Sequence, residues 1–250
     1  MHIKHSSSEI PPIHHTHPPT HRLPHPSLAP RHNYVHHSLP YFMYGHGIYL
    51  DEGASGIVVE KNWVHSAFSA LFMQHYGVNN TVRHNVFARS IGGCLSYPAQ
   101  GGGTEQRCAG YLWDPAYRGQ ACNYDFHHNI VAMAGTQGYV RAPPEGRCNG
   151  TWARNIYYNS SGPITSTFPG VNTRSFPSYP ALNFRAVNAS FAQWRLRGED
   201  GDSAEADPQF ISPHPEGDED FRVKESSPAL ALGFEQVDLR VRLRKVGPDW

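Results

Sequence analysis

Two apolar or aromatic residues recur behind an asparagine along the middle of the chain. The instances are His32-Asn33-Tyr34-Val35, Lys61-Asn62-Trp63-Val64, His84-Asn85-Val86-Phe87, His128-Asn129-Ile130-Val131 and Arg154-Asn155-Ile156-Tyr157. A His, Lys or Arg precedes every one of these asparagines. The last four instances follow strand-like stretches that read GIVVE, NTVR, NYDF and GTWA. Further upstream lie second apolar pieces: GIYLDEG (47–53), ALFMQHYG (70–77), GYLWDP (110–115) and GYVRAP (138–143). The asparagines are 29, 23, 44 and 26 residues apart, and the 44 reads as about two units of 22.

Short β-rich pieces at this period, with no amphipathic helix between them, predict an all-β parallel solenoid. Asparagine tolerates the left-handed backbone region, so it is expected to turn the chain between two strands of one coil. Stacked asparagine side chains can also hydrogen-bond along a column, and the apolar residues after them are expected to point inward. A leucine-rich repeat would need its own consensus. A β-sandwich would show hairpin turns, of which Asn149-Gly150 is the one signal. Residues 31–165 are therefore assigned to the repeat and 1–30 to a disordered tail rich in His and Pro. Residues 166–250 are assigned to a carboxy-terminal cap, with a short helix at 189–196 that starts from Asn188. Residues 90–122, with Gly101-Gly102-Gly103, read as a long loop leaving the repeat.

Composition narrows the function. The chain has 250 residues, and its 21 Lys+Arg balance 21 Asp+Glu, which argues against a nucleic-acid surface. No apolar run is long enough for a membrane-spanning helix. Cys94, Cys108, Cys122 and Cys148 fit two disulfides or free thiols, without zinc-site spacing. Sequons at Asn79, Asn149, Asn159 and Asn188 fit an extracellular or secretory-pathway protein, although the opening residues lack the apolar core of a signal peptide. Prolines between the amino-terminal histidines oppose a fixed metal geometry. His32, His84 and His128 give way to Lys61 and Arg154 in other units, so they are expected to be exposed positions and not metal ligands. No cofactor or metal is called for, and the chain is expected to be a monomer.

GIYLDEGASGIVVEKNWVH followed by MQHYGVNNTVRHNVFA resembles right-handed parallel β-helix proteins of the carbohydrate-active type. Among these it is most similar to bacterial glycoside hydrolases related to the fucosidase/xylanase β-helix enzymes. The end of the chain, FAQWRLRGEDGDSAEADPQF and DFRVKESSPALALGFEQVDL, also resembles the carboxy-terminal part of such proteins. The resemblance covers residues 31–250. It implies a right-handed parallel β-helix, a polysaccharide or oligosaccharide partner, and catalysis by two carboxylates on one face. Asp51 matches the acidic position of the G-I-Y-L-D-E-G motif. The family pattern also implies an upstream Asp. No Asp precedes Asp51 here, so the resemblance implies an amino-terminally shortened chain.

The candidate catalytic residues are Asp51, His75, Asp114 and Glu52; Tyr49, Gln74, Tyr76 and Trp113 are candidates for substrate binding. Asp51 would be general acid or nucleophile in glycosidic cleavage. It lies 11 residues before Asn62, and Gln74 and His75 lie 11 and 10 before Asn85. His75 is thus expected one coil from Asp51, where it can bond a sugar hydroxyl or tune the carboxylate. Asp114 is the replacement for the missing carboxylate, with a turn-initiating Asp-Pro as the plainer reading. Tyr49 and Trp113 can stack on sugar faces or belong to the core. The competing functions are a non-catalytic glycan-binding β-helix and a polysaccharide lyase.

Overall fold

The computed structural model describes residues 30–38, 45–51, 54–67, 70–74, 78–89, 124–133, 150–164, 168–169, 188–196, 198, 200–218 and 220–239. Parallel pairing dominates it. β1 (Tyr34–His36), β4 (Trp63–His65), β7 (Val86–Ala88), β9 (Ile130–Met133), β11 (Ile156–Asn159) and β14 (Ala204–Glu205) form one sheet in that order, each neighbour parallel. β3 (Val58–Glu60), β6 (Asn80–Arg83), β8 (Tyr124–His127) and β10 (Trp152–Ala153) form a second parallel sheet. β2 (Ile48–Leu50) and β5 (Phe72–Gln74) form a third. β12 (Phe168–Pro169) and β13 (Asn188–Ala189) pair antiparallel. Helix is confined, among the described residues, to α1 (Phe191–Leu196) and α2 (Pro228–Ala231), and none is long and apolar enough to cross a membrane. The fold is all-β with parallel sheets.

The recurring asparagines form a row. Asn33 Nδ2 donates to Asn62 Oδ1 at 2.9 Å, Asn62 to Asn85 at 2.9 Å, Asn85 to Asn129 at 3.0 Å and Asn129 to Asn155 at 3.3 Å. Each receiving oxygen also takes the backbone N–H of the asparagine above it, at 2.9–3.0 Å. The spare amide hydrogens reach inner carbonyls such as Val59 O and Val82 O, both at 2.9 Å. Asn62, Asn85, Asn129 and Asn155 are buried. Buried amides are costly unless satisfied, and this row satisfies them rung by rung.

The sharp turn belongs to a different residue from the one expected. Positive φ falls on the basic or His residue before each asparagine: His32 (58°), Lys61 (56°), His84 (54°), His128 (55°) and Arg154 (56°). The asparagines of the row are not among the left-handed residues, because each must hold its side chain along the column. The 44-residue interval is also a single unit. Val86 pairs directly with Ile130 and Asn80 with Tyr124, so β8 and β9 follow β6 and β7 as the next strands of their sheets.

Only one of the two apolar residues behind each asparagine faces the interior. Strand side chains alternate. Val35, Val64, Phe87, Val131 and Tyr157 pack inward with Val59, Val82, Phe126 and Trp152. Phe126 stacks between Phe87 (6.1 Å between ring centroids) and Trp152 (4.8 Å), and Trp194 of α1 closes that stack edge-on at 5.9 Å. The other residue of each pair faces outward: Tyr34, Trp63, Val86, Ile130 and Ile156. These are covered by the carboxy-terminal segment through Phe221, Val223, Ala229, Phe234 and Leu239. The six-stranded sheet is apolar on both faces because both are buried, as parallel sheets require.

The row ends on the carboxy-terminal segment. Ser203 stands where a sixth asparagine would, since Ala204 N donates to Asn155 O at 2.9 Å, as Ile156 N does to Asn129 O. Its hydroxyl accepts from Asn155 N at 2.8 Å, while Asp200 Oδ1 accepts from Asn155 Nδ2 at 2.8 Å. Asp200 also accepts from Ser203 Oγ, Trp194 Nε1 and Tyr157 OH. It is fully buried, and burial raises its pKa against the pull of those four donors. The α1 helix is capped by Ser190, not Asn188. Ser190 Oγ accepts from Gln193 N and Gln193 Oε1 from Ser190 N, a reciprocal capping box, while Asn188 lies in β13.

Candidate functional site

The β2–β5 pair carries the described part of the predicted site. Its register sets Ile48 opposite Phe72, Tyr49 opposite Met73 and Leu50 opposite Gln74. Gly47 explains why the motif begins with glycine. A Cβ there would lie 2.4 Å from Val64 Cγ1 and 2.6 Å from Leu71 O, so β2 is pressed against the interior. Ile48 and Leu50 are buried, Tyr49 is half-buried and Asp51 is exposed. Tyr49 alternates with the buried Ile48 and Leu50 and so lies on the opposite face of β2, and Asp51 follows directly after the strand. The Tyr49 face turns away from the core.

Asp51 closes a turn by accepting Ala54 N on its main-chain oxygen at 3.0 Å. The loop behind it is fixed from β5. Gln74 is buried and its Oε1 accepts from Asn80 Nδ2 at 2.7 Å. Asn80 in turn donates to Ala54 O at 2.8 Å and accepts from Ile57 N at 2.8 Å. The side-chain oxygen of Gln74 is therefore spent on shaping the segment after Asp51.

His46 joins this site, and the sequence reading passed over it. Its ring lies 5.1 Å from that of Tyr49, and its Nδ1 accepts Ala70 N at 3.3 Å. Burial pushes the imidazole down to about 4, while the negative charge of Asp51 works in the opposite direction. At neutral pH the ring is uncharged, and with Nδ1 accepting it carries its proton on Nε2. The signal in the sequence was its place between Gly45 and Gly47 directly ahead of the motif strand. Together Tyr49 and Asp51 offer an aromatic ring and a carboxylate to solvent, with a neutral imidazole behind the ring. A carboxylate accepts from hydroxyls and a ring face packs on C–H groups, the two needs of a sugar ring.

Glu52, His75, Tyr76, Trp113 and Asp114 lie outside the described residues, as do the four cysteines and the GYLWDP and GYVRAP segments. Among the described residues no group of three or more His, Cys, Asp or Glu is arranged to hold a metal ion. The histidines of the turn column are not uniformly exposed, contrary to expectation. His84 is buried at 8% exposure, because Phe234 and Glu235 lie over it. Comparison with family models, curated proteins and solved structures gives no match to this chain.

Proposed function

We propose that the chain is a right-handed parallel β-helix acting on a polysaccharide or oligosaccharide as a glycoside hydrolase, with Asp51 as one of its two carboxylates. Three parallel sheets, two of them joined along one asparagine row, support the β-helix, and parallel crossovers are right-handed in nearly all known cases. The observation that carries the activity is the exposed Asp51 directly after β2, two residues beyond the half-buried Tyr49. In this reading Tyr49 seats a sugar ring. Asp51 protonates the leaving oxygen or attacks the anomeric carbon, and Asp114 or Glu52 supplies the second carboxylate. A separation of about 5–5.5 Å between the two predicts retention, and about 6.5–9.5 Å inversion. Carboxyl-carboxylate chemistry needs no cofactor. The protein would work as a monomer outside the cytoplasm, where such polymers lie.

The test is release of reducing ends from a panel of plant and microbial glycans by the wild type and by Asp51→Asn. Cleavage that falls at least about a hundredfold in the variant supports the assignment. Glycan binding without cleavage in the wild type overturns hydrolysis and leaves a binding module. Unsaturated, ultraviolet-absorbing products overturn it in favour of a lyase.

A further inference from the structure

The carboxy-terminal segment 208–239 lies across the outer face of the six-stranded sheet and meets histidines at both ends of its strands. Beyond β4, Phe221 packs on His65 at 5.1 Å and on Trp63 at 5.7 Å, and Glu216 pairs with Arg89. Ahead of β4 and β7, Glu235 pairs with Lys61 at 2.8 Å and its backbone N–H donates to His84 Nδ1 at 3.1 Å. Gly233 closes the contact. A Cβ there would be 3.2 Å from His128 Nε2, and its φ is +92°. The segment holds itself together by a bridge between Phe210 and Val223 and by Ser227 Oγ donating to Pro208 O at 2.7 Å.

We propose that residues 208–239 form an acid-releasable strap, latched by the unprotonated imidazoles of His84 and His65. His84 holds the strap as a hydrogen-bond acceptor. A proton on Nδ1 turns that acceptor into a donor facing another donor, the Glu235 amide. The surroundings add to this. His84 is faced by His127, His128, Arg83 and, through Glu235, Lys61, with Glu235 (3.8 Å from Nε2) as the one carboxylate on it among the described residues. His65 is fully buried between Tyr34, Ser66 and Phe221, with His36, His37 and Arg89 around it and no carboxylate facing it among the described residues.

Burial holds both rings down to about 4, from an ordinary value of 6.5. For His84 the pull of Glu235 is outweighed; for His65 the neighbouring cations reinforce burial. The closed form therefore binds fewer protons than the open form between about pH 6.5 and 4. Acidification through that window favours opening, by up to about tenfold per pH unit for each histidine. Lys61 and His84 hold the Glu235 pKa below its ordinary value, so its neutralisation is displaced toward more acid conditions than that of an isolated carboxyl group.

Amide hydrogen exchange on the full chain, corrected for intrinsic rates, tests this. The expected result is that amides of 227–239 lose protection between pH 6.5 and 4, on the order of a hundredfold, while those of β9 stay protected. His84→Asn keeps an acceptor near the Nδ1 position that cannot take a proton. Its strap should show a pH dependence weaker by about tenfold or more. Simultaneous loss of protection in the strap and β9 of the wild type overturns the proposal, whether or not the variant folds. So does a strap profile in a folded His84→Asn protein identical to that of the wild type.

Discussion

The asparagine row and the β2–β5 pair belong to the same parallel-sheet fold, yet they obey different rules. In the row every unit brings the same residue type to the same place, and each rung uses atoms of the next. At the β2–β5 edge nothing repeats: Tyr49 sits opposite Met73, and Leu50 opposite Gln74. A position whose partner is its own copy in the next repeat cannot change alone. A position outside such a chain of obligations can acquire chemistry. Repetition in this sequence therefore marks what holds the protein together, and its interruption marks where a function can be built.

Substitutions can break or sharpen that contrast. The largest effect is expected at Asp200→Ala, which strands the donors of Asn155, Tyr157, Trp194 and Ser203 in the interior. We expect a loss of about 4 kcal/mol or more in urea unfolding. Asn85→Ala, in mid-row, removes the acceptor of Asn62 and the donor to Asn129, at a cost of about 3 kcal/mol. A loss under about 1 kcal/mol at Asn85 would mean that the row follows the fold instead of maintaining it. Ser190→Ala removes half of the capping box at α1 and should cost about 1 kcal/mol in the same assay. Asp51→Asn should change stability by less than about 0.5 kcal/mol, because the side chain is exposed. A large destabilisation there would place Asp51 among the structural residues and remove the contrast.

Much of the architecture was legible from the chain. The strands on both sides of Asn62, Asn85, Asn129 and Asn155 lie where the apolar patches put them, and the hydrogen-bonded row follows from the spacing. The turn falls on the neighbour of the expected residue: asparagine is the better left-handed residue, but the column claims its side chain, and the positive φ passes to the His, Lys or Arg before it. The outward half of each apolar pair, such as Trp63 and Ile130, was readable in principle. Two consecutive apolar residues in a strand call for cover on both faces, and strict alternation would have pointed to the strap. Ser203 escaped notice because a hydroxyl with a carboxylate three residues earlier does the work of one amide. At the candidate site, Tyr49 and Asp51 were visible through their motif. His46 had only its place between Gly45 and Gly47 to mark it, and its link to Ala70 N, 24 residues away, could not be read from any repeat.

The row of amides also has a sense of direction. Every Nδ2 points toward the Asn155 end and every Oδ1 toward the Asn33 end, so the small dipoles add like batteries in series. Their positive pole meets the carboxyl group of Asp200, much as an anion settles at the start of a helix. The assembly is thereby modular in one dimension. A unit duplicated between β9 and β11 would arrive with its own amide, slot into the series in the same orientation, and leave the terminal carboxyl group as it found it. The number of repeats becomes a quantity that duplication can change while the two poles stay the same.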